Sequence, residues 1–308
     1  MKKIVISIII FISLLNPYNV CALSTTEAKE NIDVSKDCNL KVNYEYDDYD
    51  FDDVKVKIYH IATVTSNFQY NLSSNFNIYP LKINGLKNDS EWNALEQTLN
   101  SYIEADNIEE MLLESIEDNE ISISNLEPGL YFVKIDKIDT DDYTLLFDSF
   151  LISVPELLNN GTWNYDIDVY PKAEEYIPKY DEIKYIVTKQ WLYDKITRPN
   201  SIYIEIYEDG NLSSKQVLSS KNNWTYEWIT DDDGSTWTVV ERNIPNNYNV
   251  SITNNKLNFT IINKDINYKE NNPITGDNIK LYFYLLIGTL IGLILLTVSF
   301  ILNKKQNI

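Results

Sequence analysis

Three polar side chains sit where strand alternation aims them into an aromatic core. In IKYIVTKQWLYD, Tyr185, Val187, Lys189 and Trp191 share one strand face. In TWTVVERNIP, Trp237, Val239 and Glu241 do the same, and in LNFTIINK so do Phe259, Ile261 and Asn263. Burying an amine, a carboxyl and a carboxamide without partners costs roughly several kcal/mol, so the pattern needs a reason. One reason is structural: the lysine snorkels to solvent and the other two groups cap strand ends. The other is chemical. Desolvation lowers the pKa of an amine and raises that of a carboxylic acid, so a buried lysine can be neutral while the glutamate keeps its proton. A neutral amine attacks the Asn263 carboxamide, Glu241 polarises the carbonyl and relays protons, and ammonia leaves. The product is an amide bond between the first and last strands of one domain.

A second lysine is placed differently. In TWNYDIDVYPK, Trp163, Tyr165, Ile167 and Val169 share a face until Pro171 ends the ladder, which leaves Lys172 exposed at a strand terminus. It is either a nucleophile presented to another molecule or an ordinary surface lysine closing a domain. Further along, NNPITGDN places Pro273, Thr275 and Gly276 in a turn. A stretch with no charge between Leu281 and Leu302 follows, long enough for a membrane span of roughly 20 residues, and then Lys304 and Lys305. The combination reads as a processing signal. At the other end, Lys2 and Lys3, an apolar stretch and Val20-Cys21-Ala22 read as a secretory signal peptide cleaved after Ala22. Cys38 is then the one cysteine of the exported chain, which excludes an intrachain disulfide.

The formal net charge of −20 makes nucleic acid and anionic lipid poor partners. The single histidine, His60, alternates with valines and an isoleucine and reads as a core or rim residue, not a catalytic base. No metal-ligand cluster or glycine-rich phosphate loop is present, so neither a metal nor a cofactor is expected. The acidic run EYDDYDFDD lacks the glycine and closing glutamate of a calcium loop and reads as a solvated turn. DDDG, Asp231 to Gly234, reads as a hairpin turn. A tethered hydrolase is disfavoured by the lack of a usable Ser, His and Asp constellation, and no turnover enzyme is expected.

The elements that must position these groups are mostly strands. DVKVKIYHIATV sets Val54, Val56, Ile58 and His60 against Lys55, Lys57 and Tyr59. NLKVNYEY, EISISNL, LYFVKI, TLLFDSFLISV and TWNYDIDVYP read likewise. One helix interrupts them in SEWNALEQTLNSYI, with Ser90 as N-cap and Trp92, Leu95, Leu99 and Tyr102 on one face. EEYIPKYDEIK breaks the pattern and holds a domain boundary, after which strands continue to about Lys264.

VTKQWLYD, RPNSIYIEIYEDG, NNWTYEW, WTVVERNIPNNY and FTIINK resemble, in order, segments of the Cna-type B domain of Gram-positive surface proteins. WTVVERNIPNNY is similar to that family's E-box, with Trp237 for the usual tyrosine and Asn247 for the usual glycine. The resemblance implies an intramolecular isopeptide bond between Lys189 and Asn263, catalysed by Glu241. WNYDIDVYPK resembles the pilin motif of sortase-assembled pilins, with Ile167 at its first valine and Ala173 where asparagine often follows; VKIYHIATV, NLEPGLYFV and DSFLISVP are similar to pilin N-terminal segments. Lys172 is then the polymerisation lysine. NPITG resembles a sortase sorting signal with Asn272 for the common leucine, which implies cleavage between Thr275 and Gly276.

The expected fold is all-β, two Ig-like Cna-B-type sandwiches in tandem with one short helix in the first. The expected layout is signal peptide 1–22, N-terminal pilin-like domain 23–173, linker 174–183, Cna-B-type domain 184–265, spacer and sorting motif 266–280, transmembrane helix 281–302 and cytoplasmic tail 303–308. The expected role is a wall-anchored pilin subunit whose partners are sortase, peptidoglycan precursor and other pilin subunits. The alternative is a singly anchored or basal adhesin that binds a host or extracellular ligand.

Overall fold

The computed structural model describes residues 28–267 apart from 47–48, 141 and 193–197. The signal peptide, the sorting motif with Pro273, Thr275 and Gly276, and the apolar segment 281–302 lie outside the described residues. The first half runs β1 (Cys38–Asn43), β2 (Lys55–Val64), β3 (Tyr70–Leu72), α1 (Asp89–Asp106), β4 (Leu112–Ser115), β5 (Glu120–Leu126), β6 (Gly129–Ile135), β7 (Ile138–Asp139), β8 (Thr144–Phe147), β9 (Phe150–Val154), β10 (Glu156–Leu157), β11 (Trp163–Asn164), β12 (Asp166–Val169) and β13 (Ala173–Tyr176). The second half runs β14 (Glu182–Leu192), β15 (Ser201–Glu208), β16 (Asn211–Ser219), β17 (Thr225–Asp231), β18 (Trp237–Arg242), β19 (Tyr248–Asn255) and β20 (Asn258–Asp265). The fold is therefore mostly β, and α1 is the single α-helix among the described residues.

Two sheets form the first half's sandwich. One has the order β3-β2-β6-β9, with β4 also on β2, and the other has β12-β1-β5. Val56, Ile58, Tyr131 and Val133 of the first sheet meet Leu40, Val42, Ile121 and Ile167 of the second. The other face of the first sheet, Tyr59, Ile61, Leu130 and Phe132, is also buried, because α1 lies on it. This is why the alternation read over β2 stops at Ile58: Tyr59, Ile61 and Ala62 are all buried, and the register shifts between His60 and Ala62. His60 is half-buried and stacks on Tyr131 at 4.9 Å, and burial holds its imidazole below the usual value.

The second half is a sandwich of β17-β14-β20-β19 against β16-β15-β18. Its first and last strands, β14 and β20, lie side by side in parallel, with Lys189 opposite Ile261 and Trp191 opposite Asn263. Val187 and Ile261 of one sheet pack with Ile204 and Val239 of the other.

Several local readings are corrected. The helix N-cap is Asn88, not Ser90: Asn88 has extended backbone and its side chain accepts from the Glu91 amide at 3.0 Å, while Ser90 lies within the first turn. TLLFDSFLISV is two strands in different sheets, β8 pairing with β7 and β13, and β9 with β6. TWNYDIDVYP is also broken, β11 pairing with β10 and β12 with β1. DDDG does not close a hairpin, because β17 and β18 belong to opposite sheets; it is a crossover between them, and Gly234 supplies the φ of 85° that it requires. β13, Ala173–Tyr176, runs from the expected N-terminal domain into residues 174–176 of the expected linker and pairs with β8.

The two halves share a core. A continuous apolar cluster runs from Tyr59 and Phe132 through Leu95, Leu99 and Tyr102 of α1 to Val240 and Ile252 of the second sandwich. A helix with Leu95, Leu99 and Tyr102 on one face was expected; its burial on several sides was not.

Candidate functional site

Lys189 on β14, Glu241 on β18 and Asn263 on β20 converge inside the second sandwich. Strand alternation turns each inward, and each is buried, at 4%, 1% and 0% residual exposure. Lys189 Nζ lies 2.9 Å from Glu241 Oε2, and both side chains are wholly excluded from solvent. Asn263 Nδ2 donates to Glu241 Oε1 at 2.9 Å, so the carboxyl group bridges the amine and the carboxamide.

The lysine has little else. Its Nζ sits 4.5 Å from the centroid of the Trp191 ring, which is itself packed edge-on by Trp224 and Tyr248. Its approach to Glu241 Oε2 is at ion-pair distance but off hydrogen-bond geometry. Lys189 Nζ, Glu241 Oε2 and Asn263 Oδ1 are thus all buried without a hydrogen-bond partner. Burial brings the Lys189 pKa down to about 8 against the opposing pull of Glu241. Burial also pushes the Glu241 carboxyl up, against Lys189 and Asn263. Both directions favour the uncharged pair, a free amine beside a carboxylic acid. A nucleophile, a proton carrier and an acyl group with a leaving amine are therefore in contact in a dry site.

Lys172 is exposed, between β12 and β13. Its carbonyl accepts from the Asp148 amide at 3.3 Å, and its charge opposes the burial effect that raises the Asp148 carboxyl. It belongs to the first half, between strands paired with β1 and β8, whereas the buried trio belongs to the second. Among the described residues no group of three or more His, Cys, Asp or Glu is arranged to hold a metal ion. Cys38 is buried as a free thiol, with its pKa raised to about 11 by burial.

Two residues of α1 that sequence reasoning did not assign to the site touch its walls. Tyr102 donates its hydroxyl to the Glu241 carbonyl at 3.2 Å, and Thr98 bonds the backbone of Ile252 on β19. The signal for them was the unbroken burial of Thr238 to Glu241 in β18, a run that only a strand covered on both faces carries.

The second half is thus a sandwich whose first and last strands run parallel and whose interior holds a Lys, a Glu and an Asn. Residues 185–264 match the family model of the Cna protein B-type domain, about a quarter of the chain. The collagen adhesin of Staphylococcus aureus is 32% identical over 125 residues, which cover 37% of this chain and 10% of that protein. The chain thus spans a tenth of the length of that relative. Among solved structures, a single B repeat unit of the collagen-binding surface protein of Staphylococcus aureus is similar at 17% identity and a TM-score of 0.26, covering 75% of this chain and 98% of that one. The full-length major pilin SpaD of Corynebacterium diphtheriae is similar at 13% identity and a TM-score of 0.29, covering 76% and 67%.

Proposed function

We propose that this chain is a structural protein of a Gram-positive cell surface, a pilin-type subunit whose second sandwich closes an amide bond within itself. The observation that carries this reading is the wholly buried contact of Lys189, Glu241 and Asn263 within the segment that matches the Cna B-type domain. The pair passes its proton from Nζ to Glu241, and the free amine attacks Cγ of Asn263. Glu241, now the acid, hydrogen-bonds the developing oxyanion, gives its one proton to Nδ2 and takes the second Nζ proton in its place. The Nζ–Cγ bond forms as the Cγ–Nδ2 bond breaks, and ammonia is the one leaving group. The reaction happens once per molecule and turns nothing over.

The same reading assigns export to residues 1–22 and wall attachment to Pro273, Thr275 and Gly276. Sortase takes the Thr275 acyl group and passes it to an amine, either that of peptidoglycan precursor or Lys172 of another subunit. A second reading, a singly anchored adhesin for an extracellular ligand, is favoured by the collagen adhesin relative.

Intact mass tests the core of the proposal. The purified protein should fall short of its sequence mass by one ammonia, and Glu241→Ala should restore the full mass. A wild-type chain at full mass rejects the reading. Closing a loop of about 74 residues stabilises the fold by about 4 kcal/mol on the entropy model used for disulfides.

A further inference from the structure

The crosslinking trio belongs to the second half of the chain, yet one wall around it comes from the first. The sandwich has an open side, where the edge strand β18 of one sheet and the edge strand β19 of the other leave their outward backbone groups unpaired within the sheets. Helix α1 and the segment before it close that side. Three alternate amides of β19 that point away from β20 are all received there: Val250 N donates to Pro80 O at 3.0 Å, Ile252 N to Thr98 Oγ1 at 2.7 Å and Asn254 N to Gln97 Oε1 at 2.6 Å. The carbonyl of Glu241, on the open edge of β18, accepts from Tyr102 at 3.2 Å. Leu95, Leu99 and Tyr102 complete the apolar layer with Val240 and Ile252, and Ile252 stands opposite Ile261, the register partner of Lys189. Outside the apolar layer, Arg242 pins the end of α1 through Asp106, with contacts of 2.7 and 3.0 Å.

We infer that α1 is a working part of the crosslinking site: docking of the helix excludes water from the β18–β19 side, and Tyr102 positions the Glu241 backbone, so that the Lys189–Asn263 bond forms only after the first half has folded onto the second. This rests on the self-crosslinking reading above. The physical basis is the dependence of the reaction on dryness. An uncharged amine and an uncharged acid coexist only while water is kept out, and an edge strand without its cover admits water to its backbone and to the side chains beneath. Tyr102 is a positioning residue, since it acts through the Glu241 main chain and does not touch the reacting atoms. The order of events follows: the covalent lock records that the two halves have assembled.

The test is the rate of ammonia loss, followed by intact mass in the full chain during cell-free synthesis at a series of pH values. The variants are Tyr102→Phe, which keeps the ring and removes the hydroxyl, and Thr98→Val, which keeps the shape and orphans the Ile252 amide. Each should slow crosslinking by roughly tenfold, the worth of one buried hydrogen bond. A purely structural defect would not move the pH limits of the reaction, whereas a wetter site would. The titratable groups that bear on Glu241 are Lys189 from β14 and Tyr102 from α1, while Arg242, next along β18, is turned outward to Asp106 and Glu205. With water admitted, the Glu241 carboxyl falls towards its ordinary range and the Lys189 amine rises towards its own. The alkaline limit of the reaction therefore moves down and the acid limit moves up. Variants that crosslink at the wild-type rate, or more slowly with unmoved limits, overturn the inference and leave the proposed function standing. A wild-type chain that loses no ammonia removes both.

Discussion

Lys189 is the residue on which the energetics of the second sandwich turn, because the fold holds an amine where an ammonium ion is poorly received. Its neighbours are the buried Glu241 carboxyl group and the face of the Trp191 indole. Asn263→Ala removes the acyl group and so leaves Lys189 a titratable amine for the life of the molecule. Burial brings this amine down to about 8 in the wild-type fold, against about 10.4 for a lysine in an unfolded chain. Between the two the unfolded chain binds more protons, so stability rises with pH across that window and is flat above it. Urea melts of Asn263→Ala, referenced to Lys189→Met/Asn263→Ala to cancel titrations away from the site, should show that rise. A difference curve that is level or falls from about pH 8 to about pH 10 would mean that the amine is comfortably charged in the fold, and the argument for a free nucleophile would go with it.

At the scale of elements, α1 matters more than its 18 residues imply, since it is core to both halves. It is capped at its start by Asn88 and stopped at Asn107, which adopts a left-handed φ of 47° and donates to Ile103 O. Asn88→Ala should cost about 1 kcal/mol. With one continuous core the loss should appear in a single transition. The near-ultraviolet signal of Trp228, stacked on Tyr185 at 5.2 Å in the second sandwich, should shift together with the far-ultraviolet signal. Two transitions, only one of them moved, would contradict the shared core. The strands were readable where one face meets solvent, as in β14 and β20, which carry Lys189 and Asn263. Where both faces are covered, as in β6, the period disappears and sequence alone does not say which neighbour covers which face. The seat of α1 depends on contacts such as Thr98 with Ile252, 154 positions apart, that no local pattern encodes. Asn88 and Ser90 are equally good capping types, and the extended φ of −151° at Asn88 decided between them. The pairing of β17 and β18 into opposite sheets was hidden because a turn sequence specifies a bend and not its destination.

For the whole molecule the question is whether it stands alone or in a chain of copies, and Lys172 decides it. The residue lies between two strands that are both anchored in the first half, β12 on β1 and β13 on β8, while its side chain is exposed. An amine on so short and well-held a connection is presented at low entropic cost to an incoming acyl group. If the protein is a shaft subunit, wall extracts boiled in detergent should give a ladder of covalent multimers. Lys172→Arg keeps the positive charge, but a guanidinium stays protonated and is a poor nucleophile, so the ladder should collapse to monomer. On the proposed reading, in which wall attachment would use the Thr275 acyl group and not Lys172, that monomer should still be wall-bound, and it should still lack one ammonia, because the buried trio is untouched. A single band from wild-type cells, or a ladder that survives the substitution, would take the polymerising role away from Lys172. The solitary adhesin would then be the better account of this surface protein.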